Sequence, residues 1–310
     1  MNFKKIFLGI IVIFVIALVI IYWLIPYGVI NFNTFKAGPR NYEFNAGNST
    51  TSMQFYPNMR FIQTNLSYRI EENCSVQKKN DMKKAFEFMQ NRTVLSFYPV
   101  SSGEEITVTC DNSEVPSGNG LFVAGEGGPT KIIQDESFYI IESGKILLLK
   151  NSECQNPNVD VHELLHVLGF AHSKNQNNLM YPVSDCSQEI GNQIPDEINR
   201  LYSIPALPDL AVENATAKIH DDNYVDINAT VRNIGFATSA SEKLSVYGDG
   251  NLIKEIDLKG LSVGEYINVR LTNVFFEKIK IKELNVSVET GYPELNSDNN
   301  WEILSENSGS

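Results

Sequence analysis

Histidine and cysteine are scarce in this chain of 310 residues, four of each, and tryptophan occurs only twice. No C-x-x-C pair occurs, so a cysteine-based zinc site is not expected. Basic residues are also in deficit, 25 against 37 acidic ones, which leaves a formal charge of −12. Phosphate backbones are held by clustered Lys and Arg, so no nucleic-acid partner is expected. A glycine-rich stretch, 118–132, lacks the Gly-Lys-Ser/Thr of a phosphate loop and reads instead as a bulged edge strand or loop. Apolar residues are not lacking. At 43% apolar and 20% charged the chain can build packed cores, and its length suggests about two domains.

Long apolar runs are limited to one. Lys4 and Lys5 precede an uncharged stretch from Ile6 to Ile25, long enough as a helix to span roughly 30 Å of hydrocarbon. Trp23 and Tyr27 would meet the far interface, and Pro26 is a natural stop. The run exceeds a secretory h-region and no A-x-A-like cleavage site follows, which favours an uncleaved signal anchor. The positive charge ahead of it puts the N-terminus in the cytoplasm and the rest of the chain outside. Were the segment cleaved, the protein would be secreted.

Cys74, Cys110, Cys154 and Cys186 form an even set, consistent with an oxidising compartment. Three pairings are possible; Cys74–Cys110 with Cys154–Cys186 is favoured because each bond then closes a loop within one unit. Sequons at Asn48, Asn65, Asn73, Asn91, Asn214, Asn228 and Asn285 permit glycosylation without demonstrating it.

Composition and periodicity divide the chain into a stub and anchor at 1–30, a stalk at 31–55, a mixed α/β region at 56–204 and a strand-only region at 205–310. In the mixed region, 61–70 reads as a strand. Ser75 caps a helix running to about Gln90, with Met82, Phe86 and Met89 inward and Lys78, Lys79, Lys83 and Lys84 on a solvated face. Strands are expected at 94–100 and 105–110, and a hairpin at 138–149 around Glu142-Ser143-Gly144. Pro205 and Pro208 hold a linker extended. Short strands at 211–217, 224–232, 243–247, 252–258, 266–271 and 284–288 then suggest an antiparallel β-sandwich, followed by a frayed tail at 305–310.

The chemistry is concentrated in 162–172, HELLHVLGFAH. On a helix, His162 and His166 lie one turn apart on one face, so both rings can reach one ion. Gly169 allows the helix to end in a left-handed turn and His172 to return as a third ligand. Glu163, beside the first ligand, is the candidate general base for the water such a metal activates. Such a pattern arises by chance on the order of once in 10⁵ chains of this kind.

This motif, followed by Met180 within NNLMYP (177–182), resembles the metzincin metallopeptidases, and most closely the matrixins. Ser173 after the third histidine, the Met-Tyr-Pro turn and IPDEINRLYS at 194–203 carry that resemblance, which covers about 56–204. It implies an α+β domain with a twisted five-stranded sheet and a cleft below its edge strand. By resemblance His162, His166 and His172 bind one catalytic zinc, Glu163 is the base and Met180 forms the floor. An extended polypeptide substrate would pair with an edge strand drawn from 120–127, using Gly120, Leu121, Phe122, Val123 and Ala124, with Tyr181 opposite. The sequence departs from the family in three ways. His220 alone remains for a second zinc, no cysteine stands at Gly38-Pro39-Arg40 to act as a latency switch, and Leu165 replaces the usual glycine before the second histidine. Residues 207–300 resemble a CARDB-type Ig-like module, through Pro208-Asp209-Leu210, the 231–235 run VRNIG and the closing 296–300 NSDNN.

The expected function is a membrane-anchored zinc endopeptidase acting on extracytoplasmic proteins. A rival reading makes the chain a surface adhesion or scaffold protein, its sandwich binding a cell-surface partner and its zinc site structural or relic. A third assigns the same site a non-peptide substrate. Acidic loops admit Ca2+, but no EF-hand-like loop supports it.

Overall fold

The computed structural model describes residues 13–16, 30–35, 40–41, 53–118, 121–134, 138–151, 154–220, 223–276 and 282–306. The apolar run 6–25 lies outside these apart from 13–16, which are helical. Among the described residues no helix is long and apolar enough to cross a membrane. Gly120, the Asn48 sequon and the tail beyond 306 also lie outside the described residues.

Strands in chain order are β1 (Ile30–Phe35), β2 (Arg40–Asn41), β3 (Met59–Phe61), β4 (Asn65–Ile70), β5 (Ser96–Pro99), β6 (Ile106–Cys110), β7 (Pro116–Gly118), β8 (Leu121–Phe122), β9 (Gly125–Gln134) and β10 (Tyr139–Leu148). They continue as β11 (Leu210–His220), β12 (Tyr224–Asn233), β13 (Glu242–Gly248), β14 (Asn251–Leu258), β15 (Tyr266–Phe275), β16 (Leu284–Glu289), β17 (Trp301–Ile303) and β18 (Ser305–Glu306). The helices are α1 (Val76–Gln90), α2 (Asn158–Val167) and α3 (Gln193–Tyr202). The described residues fall into two compact units. One lies within Lys36–Pro208 and Ile234–Thr238, the other within Met1–Phe35, Asp209–Asn233 and Ser239–Ser310.

In the first unit the main sheet runs β2-β9-β10-β6-β4-β5, with β3 also on β10. β10, β6, β4 and β5 are mutually parallel, and β9 runs antiparallel to β10. The five strands implied by the resemblance are therefore joined by short β2 and β3. Helix α1 begins where Ser75 accepts a hydrogen bond from the Lys78 amide, and it buries Met82, Ala85, Phe86 and Met89. Those side chains share one core with Ile106, Val108, Ile146, Leu164, Leu165 and Met180. Leu165 is thus a packing residue. Truncating a methionine in such a core costs about 2–5 kcal/mol.

Several expectations change. The strand expected at 61–70 is split into β3 and β4. Lys78 does not face solvent: it is buried, and its Nζ donates to Asp111 O (2.7 Å), Asn112 Oδ1 (3.0 Å), Leu148 O (3.1 Å) and Leu149 O (3.1 Å). Burial lowers its pKa, while the four acceptors supply the partners that a buried cation requires. The expected hairpin at 138–149 is one strand, β10, irregular at Ile141, Ser143 and Gly144 where it pairs with β9. Gly144 marks a close approach rather than a turn, since a Cβ there would lie 2.5 Å from Val167 Cγ1.

The expected stalk also differs. β1 pairs with β15, β2 pairs with β9, and residues 53–55 run against 169–171 through Phe55 N to Gly169 O and Ala171 N to Met53 O. Extended chain beside an open sheet edge satisfies its backbone groups by pairing.

The second unit is a sandwich of β1-β15-β12-β11-β18 and β14-β13-β16-β17. Alternate residues of each strand, among them Val225, Ile227, Val231, Leu244, Val246, Val286 and Val288, form its core. β17 was not expected, because three residues carry too little alternation to register as a strand. The residues expected to fray include Ser305–Glu306, which pair in parallel with β11.

Candidate metal centre and cleft

Helix α2 is buried nearly all round, with Val159 its one residue short of full burial. Asp160 lies in its first turn, and Gly169, at φ 95°, stops it. The turn is enforced twice over, because a Cβ on Gly169 would also lie 2.9 Å from Met59 Cγ. Beyond it Phe170 N bonds back to Leu165 O, and the chain delivers His172 to the two helical histidines.

The three rings converge. His166 Nε2 lies 3.0 Å from His162 Nε2 and 3.1 Å from His172 Nε2. His162 Nδ1 donates to Leu179 O at 2.7 Å, and His166 Nδ1 donates to Phe170 O at 2.7 Å. A carbonyl can only accept, so both protons sit on Nδ1 and both Nε2 lone pairs face the shared point. Lone pairs held together in a buried place repel unless a cation stands between them, which is how imidazoles with carbonyl-bound Nδ1 groups are used as metal ligands. Among the described residues, His162, His166 and His172 form a group able to hold an ion. Burial depresses His162 to about 4 and His166 to about 3, which keeps both rings neutral and available as ligands. Phe55, in the segment expected to be stalk, stacks on His166 with centroids 5.7 Å apart.

Glu163 lies against the edge strand. A Cβ on Gly125 would approach its Cγ to 2.8 Å and Oε1 to 3.1 Å, and one on Gly127 would lie 2.2 Å from its carbonyl oxygen. These two glycines let β9 pass directly over α2, a role the sequence reading did not assign to them. Burial pushes the Glu163 carboxyl up to about 8, with the Glu126 and Asp160 charges adding and a hydrogen bond to the Gly127 backbone opposing. Positive charge beside the triad would favour its ionised form.

A cleft of about 720 Å³ opens here, lined by Leu121, Phe122, Val123, Ala124 and β9 on one side, by the triad and Glu163 at its base, and by Pro182, Val183 and Ser184 opposite. Four of the expected substrate residues therefore line it. Tyr181 does not, and the three residues after it form that wall. β9 offers an open edge, since β2 pairs only with Ile132 and Lys131, leaving 125–130 without a strand partner on that side among the described residues. Met180 is fully buried in a turn held by Asn178, whose Oδ1 accepts from Met180 N at 2.8 Å.

The opposite wall is held by groups that motif spacing does not reveal. Gln188 Nε2 donates to Val183 O (2.8 Å) and Gln176 O (3.0 Å), and its Oε1 accepts from Asp185 N (3.0 Å). Asn158 Nδ2 donates to Asp185 O at 2.9 Å. The Cys154–Cys186 disulfide ties the same segment to the chain entering α2, and Cys74–Cys110 is the second bond. Closing loops of 36 and 32 residues limits the unfolded chain and contributes roughly 3–4 kcal/mol apiece. A burial calculation would have singled out Gln188 and Asn158; sequence pattern could not.

Residues 60–203 match the matrixin family model, and residues 207–303 match the CARDB model. Interstitial collagenase of Oryctolagus cuniculus is 28% identical over 198 residues, covering 56% of this chain and 40% of that protein. This chain thus spans well under half of the relative's length. Among solved structures, high choriolytic enzyme 1, a hatching enzyme zinc-protease from Oryzias latipes, is 18% identical. It covers 41% of this chain and 55% of its own, with a TM-score of 0.25. The CARDB domain of a Pyrococcus furiosus protein, solved in complex with di-metal ions, is 24% identical and covers 32% of this chain and 89% of its own, with a TM-score of 0.27.

Proposed function

We propose that this chain, a matrixin segment followed by a CARDB module, is a zinc-dependent endopeptidase that hydrolyses peptide bonds of proteins outside the cytoplasm. The observation that carries the reading is the convergence of three histidine Nε2 atoms beside Glu163, under an open strand edge. His162, His166 and His172 would hold the ion. Zinc bound there supplies Lewis acidity to the attacking water and the scissile carbonyl.

The chain's own groups do the rest. The open edge at 125–130 pairs with an extended substrate as an added antiparallel strand, which aligns the scissile bond over the triad. Gly125 and Gly127 keep that strand close to Glu163. The Glu163 carboxylate takes a proton from the attacking water and passes it to the leaving amine. Leu121, Phe122 and Val183 give the cleft exposed apolar surface for substrate side chains.

The finer points of this reading are proposals of the same kind. The division into anchor 1–30, segment 31–55, protease 56–204 and sandwich 205–310 rests on sequence pattern. Single-pass anchoring through 6–25, with the catalytic unit outside the cell, rests on the apolar run, its preceding lysines and the two disulfides, which persist in oxidising surroundings. Glu163→Ala tests the function directly. Peptide cleavage is expected to fall about 10²–10⁴-fold while one zinc per chain is retained, because a general base contributes on that scale. Undiminished cleavage by the variant would overturn the assignment.

A further inference from the structure

The sandwich carries a groove that proteolysis does not use. About 540 Å³ in volume, it lies on the outer face of the β14-β13-β16-β17 sheet. Asn285 and Ser287 of β16 form its middle. Register places Tyr247 of β13 opposite Asn285 on one side, and Trp301 of β17 opposite Ser287 on the other. With adjacent strands about 4.8 Å apart and a stagger of two residues, the phenol and the indole are rooted roughly 12 Å from each other across the polar strand. Trp301 is 52% exposed, an unusual position for the largest apolar side chain. Tyr247 is held in place, its hydroxyl donating to Glu289 Oε1 at 2.7 Å. Asn300 also lines the groove, and its Oδ1 has no hydrogen-bond partner.

The lining selects a ligand class. No Lys, Arg or His is among the residues lining the groove, which disfavours phosphates and other anions. The groove crosses the face of the sheet, where the backbone groups of β13 and β16 are already engaged in their ladders. An extended peptide would therefore find no main-chain partners there. What the groove offers is two aromatic surfaces and, between them, hydroxyl and carboxamide groups that both donate and accept and a carboxylate that accepts. Pyranose sugars present the complement: C–H faces for the rings, and paired hydroxyls for the amides and carboxylate. We infer that this groove is a saccharide-binding site, with Trp301 and Tyr247 as its stacking surfaces and Asn285, Ser287 and Glu289 as its hydrogen-bonding floor. Asn285 is itself a sequon residue. The saccharide therefore has two sources, a separate glycan or one carried on Asn285.

The two tryptophans make the test direct. Trp23→Phe leaves Trp301 as the single indole reporter in the full chain. Unglycosylated protein is titrated with neutral oligomers of N-acetylglucosamine, glucose and mannose. A saturable change in Trp301 emission is expected, with binding by calorimetry weakened at least tenfold in Trp301→Ala and in Tyr247→Ala, and unchanged in Glu163→Ala. That last variant separates the groove from the protease site. If the unglycosylated chain gives no response, glycosylated chain is compared with its Asn285→Gln variant, where altered Trp301 emission identifies the carried glycan as the occupant. No response in either arm overturns the inference. So does a saturable response to a proline-rich peptide in place of any sugar, or sugar binding that survives Trp301→Ala in protein whose circular dichroism is unchanged.

Discussion

Both units bury aliphatic cores, but they treat buried polar groups differently. In the sandwich many of these groups bond to one another and to the backbone, though Asn299 Oδ1 and Asn300 Oδ1 are left without partners. Asn233 Nδ2 donates to Leu261 O, Asn299 Nδ2 donates to Asp209 Oδ1, and Glu265 Oε2 accepts from Ser262 N. In the first unit, His162, Glu163, His166 and Asp160 are just as buried, yet they crowd along one helix beneath a cleft. Burial drives Glu163 and Asp160 up, to about 8 and about 7, and drives His162 and His166 down. A fold tolerates such a cluster where something beyond stability requires it. The first unit also has buried polar groups that hold its shape, such as Lys78 and Gln188, but it alone adds a cluster of titratable groups beneath a cleft.

The largest break in that contrast is expected from His166→Ala, which removes the central ligand of the triad. Zinc measured by mass spectrometry should fall from about one per chain to background, with cleavage lost and hydrogen exchange in 207–303 unaltered; retention of stoichiometric metal would contradict the assigned ligand set. Next is Gly127→Ala. Its new Cβ would fall 2.2 Å from Glu163 O, so β9 must move away from α2. Cleavage should drop about tenfold or more and the first unit should lose about 1–3 kcal/mol, the usual cost of overpacking. Wild-type melting and turnover in this variant would show that the strand and helix are not in close contact.

Lys78→Met tests whether a buried charge in the first unit can be purely structural. It leaves four acceptors without their donor, and a loss of about 2–3 kcal/mol is expected in chemical denaturation, with KM for peptide little changed. The smallest effect concerns Glu104. The Arg69 guanidinium bonded to it, at 2.8 Å, holds its carboxyl down at about 2 against an ordinary 4.5. A depressed carboxylate stabilises the fold fully above pH 4.5, and that contribution fades as pH falls towards 2. The difference in melting temperature between the wild type and Arg69→Ala should therefore be greatest near neutrality and shrink across that window. A difference that grows on acidification would reverse the assignment.

Much of the first unit was legible because its signals are local. HELLHVLGFAH specifies a helix, a glycine stop and three rings by spacing alone, and Ser75 ahead of an apolar stripe specifies a capped helix. The sandwich strands were legible through simple alternation. What escaped depended on partners distant in sequence. Lys78 and Lys79 are neighbours with the same chemistry. Acceptors far along the chain, Asp111, Asn112, Leu148 and Leu149, make Lys78 a buried clamp. Glu142-Ser143-Gly144 has the residues of a turn, yet pairing to β9 on both sides of the irregularity keeps the strand running through it.

From the sequence by itself came the histidine triad, the carboxylate beside it, the favoured cysteine pairs and the order of a mixed unit followed by a sandwich, because all of these rest on residue type and short-range period. Tertiary structure alone decided which glycines must be glycine and which wall residues face Glu163 across the cleft. It also decided where the chain ahead of 56 finds its partners, and that an indole and a phenol flank one polar strand. Those outcomes turn on which backbone or side chain arrives from elsewhere, to within a few tenths of an ångström, and no local pattern encodes that arrival.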